Sequence, residues 1–183
     1  MSKLCSGFIV SIVISVSVFA QSMVASEQYR DQGKMFNVSF VKGFQVMKSK
    51  GLVMFSSRDK ALIVRVKTYT PAEIAKIAAK YTKPSADTTD VLKEFLLSQK
   101  IEKDVDPSLN AVPQDLLSAA KADAGSMIKY GMRSAGKNYT CRAAVYSKGS
   151  TIVVVYYTIV DTRTNEKYEK PANEMIKSFS FAE

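Results

Sequence analysis

Histidine is absent from this chain of 183 residues. Its absence removes Ser-His-Asp and Cys-His catalysis and every histidine-ligated metal. Cysteine is scarce, with Cys5 and Cys141 only, so zinc and iron–sulfur centres have no ligand set. The eight glycines are isolated, and none forms a phosphate-cradling loop. No run of five or more basic residues occurs, and no nucleic-acid motif. Internal repeats and low-complexity tracts are also missing. Carboxylates, tyrosines and lysines remain for chemistry, and nothing in their spacing singles out an acid–base pair. The expectation is a protein that is not an enzyme and carries no cofactor.

Hydrophobic residues make up 46% of the chain and charged ones 23%, which fits one globular domain with a proper core. The start reads as a targeting signal. Lys3 is followed by an uncharged apolar stretch from Gly7 to Ala20, and Val18-Phe19-Ala20 supplies a cleavage site after Ala20. A cut after Ala25 would place Met23 at −3, so Ala20 is preferred. The uncharged run 4–26 is just long enough to span a membrane as an anchor. Its many serines and short apolar core favour cleavage instead. The expected organisation is a signal peptide at 1–20, a flexible polar lead-in at 21–34 and a single domain at 35–183. The expected location is the periplasm or the secreted medium, with no integral membrane segment after cleavage. Losing residues 1–20 removes one lysine and no acid, so the net charge goes from +9 to +8. That charge favours anionic partners such as lipid headgroups, glycans or acidic proteins. The lysines are scattered, however, not clustered, and solubility is the preferred explanation of the charge. Cys141 is then the mature chain's one cysteine. No internal disulfide forms, and a buried, inert thiol is expected.

Period-two alternation begins at "MFNVSFV" (35–41) and continues through "FQVMKS", "LVMFSS" and "ALIVRVKTY", a meander of four short strands. Thr70, Pro71 and Glu73 then make a capping box with proline at the first helical position, so the sequence predicts a helix over 71–82. Asp87 caps a second helix over about 88–100, with Val91, Leu92, Phe95 and Leu96 on one side. Pro113 opens a third helical stretch, "PQDLLSAAKADAGSMIKYGMRS", although Gly125 weakens its far half. "NYTCRAAVYS" leads through Lys148-Gly149, a tight hairpin, into "STIVVVYYTIV". "PANEMIKSF" is a short terminal helix, and "SFSF" closes the domain.

Residues 152–160 are apolar on both alternating faces. Ile152, Val154, Tyr156 and Val160 share one face, and Val153, Val155, Tyr157 and Ile159 the other. A strand in a half-wet sheet would show polar residues on one of them. This strand should therefore be central and covered on both sides. The order strands, helices, strands, helix gives an α+β fold, with a mostly antiparallel sheet covered by helices on both faces (an α/β/α sandwich). "FNVSFVKGFQV", "LVMFSS" and "ALIVRVKTYT" with its helix resemble the opening of the PsbP/Mog1/DcrB-like superfamily. "STIVVVYYTIV" followed by a helix and "MIKSFSF" resembles its close. The resemblance covers about 35–82 and 138–181. It implies a non-enzymatic role of the kind found among photosystem accessory subunits, a small-GTPase partner and bacterial envelope proteins. It brings no catalytic residues.

Two residue groups suggest binding. "DVDPSLNAVPQD" (104–115) sets oxygen side chains at positions 1, 3, 5, 7 and 12: Asp104, Asp106, Ser108, Asn110 and Asp115. As a metal site it would rest on Asp104, Asp106 and Asp115. But Leu109 stands where a calcium loop needs glycine and an Asp replaces the bidentate Glu, so a polar inter-helix connection is preferred. The second group is Arg65, Lys67 and Arg142 on flanking strands, which could rim an aromatic groove with Tyr139, Tyr146, Tyr156, Tyr157 and Tyr168. Asn37-Val38-Ser39 and Asn138-Tyr139-Thr140 match the N-glycosylation pattern and are read as chance.

The function these readings support is an exported, non-enzymatic envelope or secreted protein acting through protein–protein contacts. The alternative is a binding module for anionic lipid or glycan ligands.

Overall fold

A computed structural model describes residues 26–33, 35–99, 109–160 and 165–182. Its centre is the apolar run. Strand β9 (Thr151–Val160) is the middle member of a seven-stranded sheet, flanked by β5 (Leu62–Tyr69) and β8 (Lys137–Lys148), both antiparallel to it. Residues 152–159 are all buried. Val153, Val155, Tyr157 and Ile159 pack in one core with Ala172, Met175 and Ile176 of helix α4 (Asn165–Lys177). Ile152, Val154 and Tyr156 pack in another with Val91, Leu92 and Phe95 of helix α2 (Thr88–Ser98). The Phe95 and Tyr156 rings lie 4.6 Å apart. Each fully buried Val, Ile or Phe contributes roughly 1.5–3 kcal/mol, so a strand buried on both faces is a main source of stability.

The rest of the sheet follows from local signals. The turn at Lys50-Gly51, with Gly51 at φ 69°, joins β3 (Gln45–Ser49) to β4 (Leu52–Ser56), and β4 pairs on to β5. Gly149, at φ 54°, lies in the tight turn between β8 and β9, where Lys148 pairs with Thr151. Helix α1 (Pro71–Lys80) begins as its residues dictate. The Glu73 N–H donates to the Thr70 hydroxyl, and the Glu73 carboxylate accepts from the Thr70 N–H at 2.8 Å. Asp87 and Asp90 form the same reciprocal box on α2. Helices α1 and α2 cover one face of the sheet; α4 covers the other.

Four sequence expectations change. The polar lead-in contains strand β1 (Ser26–Arg30), paired along its length with β2 (Phe36–Val41). One buried ring, Tyr29, holds it down, 5.6 Å from Phe55. A single anchor in five residues leaves too weak a pattern to read as a strand. Second, β2 does not join the meander. With β1 and β10 (Ser180–Phe181) it forms a separate three-stranded sheet, which shares the α4 side of the core through Phe36, Val38 and Phe40.

Third, the helix expected from Pro113 ends early. Helix α3 (Gln114–Ala120) stops at Lys121, whose φ of 53° is left-handed. Strand β7 (Ala124–Ser134) follows and pairs with β8 from Ala124↔Ser147 to Ser134↔Lys137. Its apolar positions fit either period. The ladder of hydrogen bonds to β8 decides between them, and it places Ile128 and Tyr130 in the α2-side core and Met127 in the α4-side core. The two-residue β6 (Asn110–Ala111) completes the edge beyond β7. Fourth, α4 begins six residues before Pro171, which lies inside the helix rather than at its start.

Candidate functional site

Two open clefts stand out among the described residues. The first, about 330 Å³, lies between α1, the α1–α2 connection and the β8–β9 hairpin. Pro71, Ile74 and Ala78 give it apolar walls, with Ser85, Ser147 and Ser150 on its lining. Asp87 also lines it, but its carboxylate is committed to the Asp90 N–H at 2.9 Å and to the Lys83 ammonium at 3.0 Å.

The second, about 490 Å³, lies where the β2–β3 turn and the β4–β5 turn meet the N-terminal half of α4. Lys42, Arg58 and Lys167 line it together with Phe44, Tyr168 and Pro171. All three cations are exposed. Lys42 and Arg58 have no ion-pair partner among the described residues, and Lys167 stands over the Tyr168 ring at 5.2 Å. The cleft's carboxylate is Asp59. It accepts from the Ser57 hydroxyl at 2.6 Å, from the Ala61 N–H at 3.1 Å and from the Tyr168 hydroxyl. These donors, Ser57 first, lower its pKa to about 2, and Asp59 in turn raises that of Tyr168. A carboxylate so stabilised is ionised throughout the neutral range. It has no proton to give there and is a weak base. Three exposed cations outnumber this one carboxylate, so the cleft is net positive and suited to an anion, while Asp59 is poorly equipped for proton transfer.

The residues singled out from sequence do not come together here. Arg65 lies opposite Tyr156 across β5 and β9, with its guanidinium 5.5 Å from that ring and Nη1 3.4 Å from the Thr158 hydroxyl. Lys67 pairs with Glu73 at 3.2 Å and stands over Tyr69. Both are on the α1–α2 side. Arg142 lies opposite Tyr157 and donates to Asn173 of α4 at 2.8 Å. One step along β9 reverses the face, so Arg142 sits on the other side of the sheet and no shared groove forms. Tyr146 is buried against Phe179, and Tyr157 donates to Asn173 at 3.4 Å; both serve packing. Cys141 is buried, and burial raises its thiol pKa to about 12.

Asp104 and Asp106 lie outside the described residues, while Asp115 is in the first turn of α3. Among the described residues no group of three or more His, Cys, Asp or Glu side chains could hold a metal ion. Nor is any helix among them long and apolar enough to cross a membrane. Lys42, Arg58 and Lys167 were missed because they belong to three separate segments. The available signal was weak: "VKGF" and "SSRDK" each place a cation in a turn beside the strands.

Neither a family model nor a curated protein sequence matches the chain. Solved structures do. A crystal structure from Bacteroides thetaiotaomicron VPI-5482 aligns at TM-score 0.54 and 12% identity over 86% of this chain. The alignment covers 48% of that protein, so this chain spans about half its length. The Ran-binding protein Mog1p of Saccharomyces cerevisiae aligns at TM-score 0.51 and 10% identity, over 85% of this chain and 95% of its own. Cyanobacterial PsbP (CyanoP) from Synechocystis sp. PCC 6803 aligns at 0.50 and 12%, over 87% and 94%. Identities this low speak for architecture alone, and the chain has the PsbP/Mog1/DcrB-like fold that its sequence resembles.

Proposed function

We propose that the chain is an exported, non-enzymatic protein of the periplasm or the secreted medium that works by contact with other proteins. The observation that carries this reading is the cleft between the two turns and α4. It offers Lys42 and Arg58, which have no ion-pair partner among the described residues, while its carboxylate is committed to Ser57, Ala61 and Tyr168. Such a lining suits binding and offers no poised acid or base at Asp59. The signal-like start supports export. The fold is one that a Ran-binding protein also uses, which is support by analogy.

The test is site-specific photocrosslinking in the exporting cell. With p-benzoyl-phenylalanine in place of Phe44, a discrete protein adduct is expected. The same group at Leu97, exposed on α2, should give none. Equal labelling from both positions, or none from position 44, overturns the reading.

The same cations and the net charge favour a second reading, a module for anionic lipid headgroups or glycans. Salt-sensitive binding to anionic vesicles would support it, and indifference to lipid charge ends it.

A further inference from the structure

The β2–β3/β4–β5/α4 cleft has three features that an incidental surface dent lacks. First, its cations are grouped. Arg58 belongs to the β4–β5 turn, yet its guanidinium lies over the β2–β3 turn, and a Cβ built on Gly43 would stand 3.8 Å from its Nη2. Gly43 holds φ 85°, so the turn that puts Lys42 on the same cleft as Arg58 favours glycine. Like charges held near one another repel, and an anion between them relieves the repulsion. Second, the lining is mixed. Phe44 and Pro171 supply apolar surface between the cations. Third, the frame is fixed in advance. The Asp59 hydrogen bonds tie the turn that carries Arg58 to the helix that carries Lys167, so little ordering cost falls on binding.

We infer that this cleft is the docking site for an acidic segment of the protein partner, in which carboxylates flank an apolar side chain. The carboxylates meet Lys42, Arg58 and Lys167, with the Arg58 fork suited to two-point contact. The apolar side chain rests on Phe44 and Pro171. A bilayer surface is planar and does not follow a concavity of about 490 Å³, whereas a chain segment does. The inference rests on the protein-contact reading above.

The probe is a fluorescein-labelled Glu-Leu-Glu-Leu-Glu peptide, titrated by anisotropy with the protein purified from cells that export it. Binding that weakens as ionic strength rises is expected. Gln-Leu-Gln-Leu-Gln should bind about tenfold more weakly or worse. Lys42→Ala and Arg58→Ala should each weaken the acidic peptide about fivefold, and Lys93→Ala, on α2, should leave it unchanged. Both altered cleft residues are exposed, and an unchanged melting temperature will show that the variants remain folded.

Equal binding of the two peptides, or insensitivity to Lys42→Ala and Arg58→Ala, overturns the inference. Binding of phosphatidylglycerol vesicles but not of the acidic peptide, abolished by the same substitutions, overturns it in favour of a lipid surface. If the peptide fails while position 44 still gives its adduct, the acidic-segment inference falls and the protein-contact reading stands. If both fail, both fall.

Discussion

The hydroxyl of Tyr168 on α4 donates a hydrogen bond to the carboxylate of Asp59 in the β4–β5 turn, 109 positions away in sequence. The bond ties a helix on one face of the sheet to a turn at its end. Tyr168→Phe keeps the ring and deletes the donor. A loss of about 1 kcal/mol is expected, read from the urea midpoint. An unchanged midpoint would show that the contact carries no stability.

The same network sets an acid limit. The folded-state pKa of Asp59 is lowered from 3.8 to about 2. Its contribution is therefore complete above the unfolded pKa and is lost as pH falls through about 2. Unfolding measured between about pH 5 and pH 2 should show stability falling with acid, and Asp59→Asn should remove part of that slope. An identical slope in the variant would remove Asp59 from the account.

Gly125 separates the strand from the helix reading of residues 124–134. An added Cβ would stand 2.7 Å from Val112 Cγ2 and 3.0 Å from Leu117 Cδ2. Gly125→Ala should cost about 1–3 kcal/mol by overpacking. In an exposed helix the same change would stabilise by about 1 kcal/mol, so the sign of the shift in thermal midpoint decides.

Covering on both faces of β9 has its own signature. Val154 packs on the α2 side and Val155 on the α4 side, each with 0% exposure. Val154→Ala and Val155→Ala should each cost about 2 kcal/mol in chemical denaturation. A strand with one wet face would show the loss at one position alone.

Cys141 should be unreactive in the folded protein. Its thiol is buried and its pKa is raised from 9.0 to about 12, so little thiolate exists at pH 8. With Cys5→Ser in place, Ellman's reagent should find no thiol in the native protein and one after unfolding. Rapid native labelling would contradict the burial.

Much of the architecture is legible in the sequence. The run at 152–160 showed its two apolar faces, Thr70 and Glu73 marked the start of α1, and Gly149 marked the hairpin. Each signal is local: a pleat of period two, a cap that reaches three residues, a turn that tolerates positive φ. The misreadings have one cause. Residues 124–134 carry apolar positions compatible with both periods, and residues 26–30 carry one anchor, so pairing partners far along the chain chose their state. The separation of Arg142 from Arg65 and Lys67 has the same origin, because a register of one residue across β9 assigns the face.

By itself, then, the sequence determined the class of fold, its central strand and the exclusion of histidine-based and cysteine-rich chemistry, because these depend on composition and near neighbours. The tertiary structure decided the small second sheet, the strand at 124–134 and the cleft of Lys42, Arg58 and Lys167. Those three cations lie on separate segments, and the hydrophobic packing of α4 and both sheets, with the Tyr168–Asp59 bond beside it, brings them to one place.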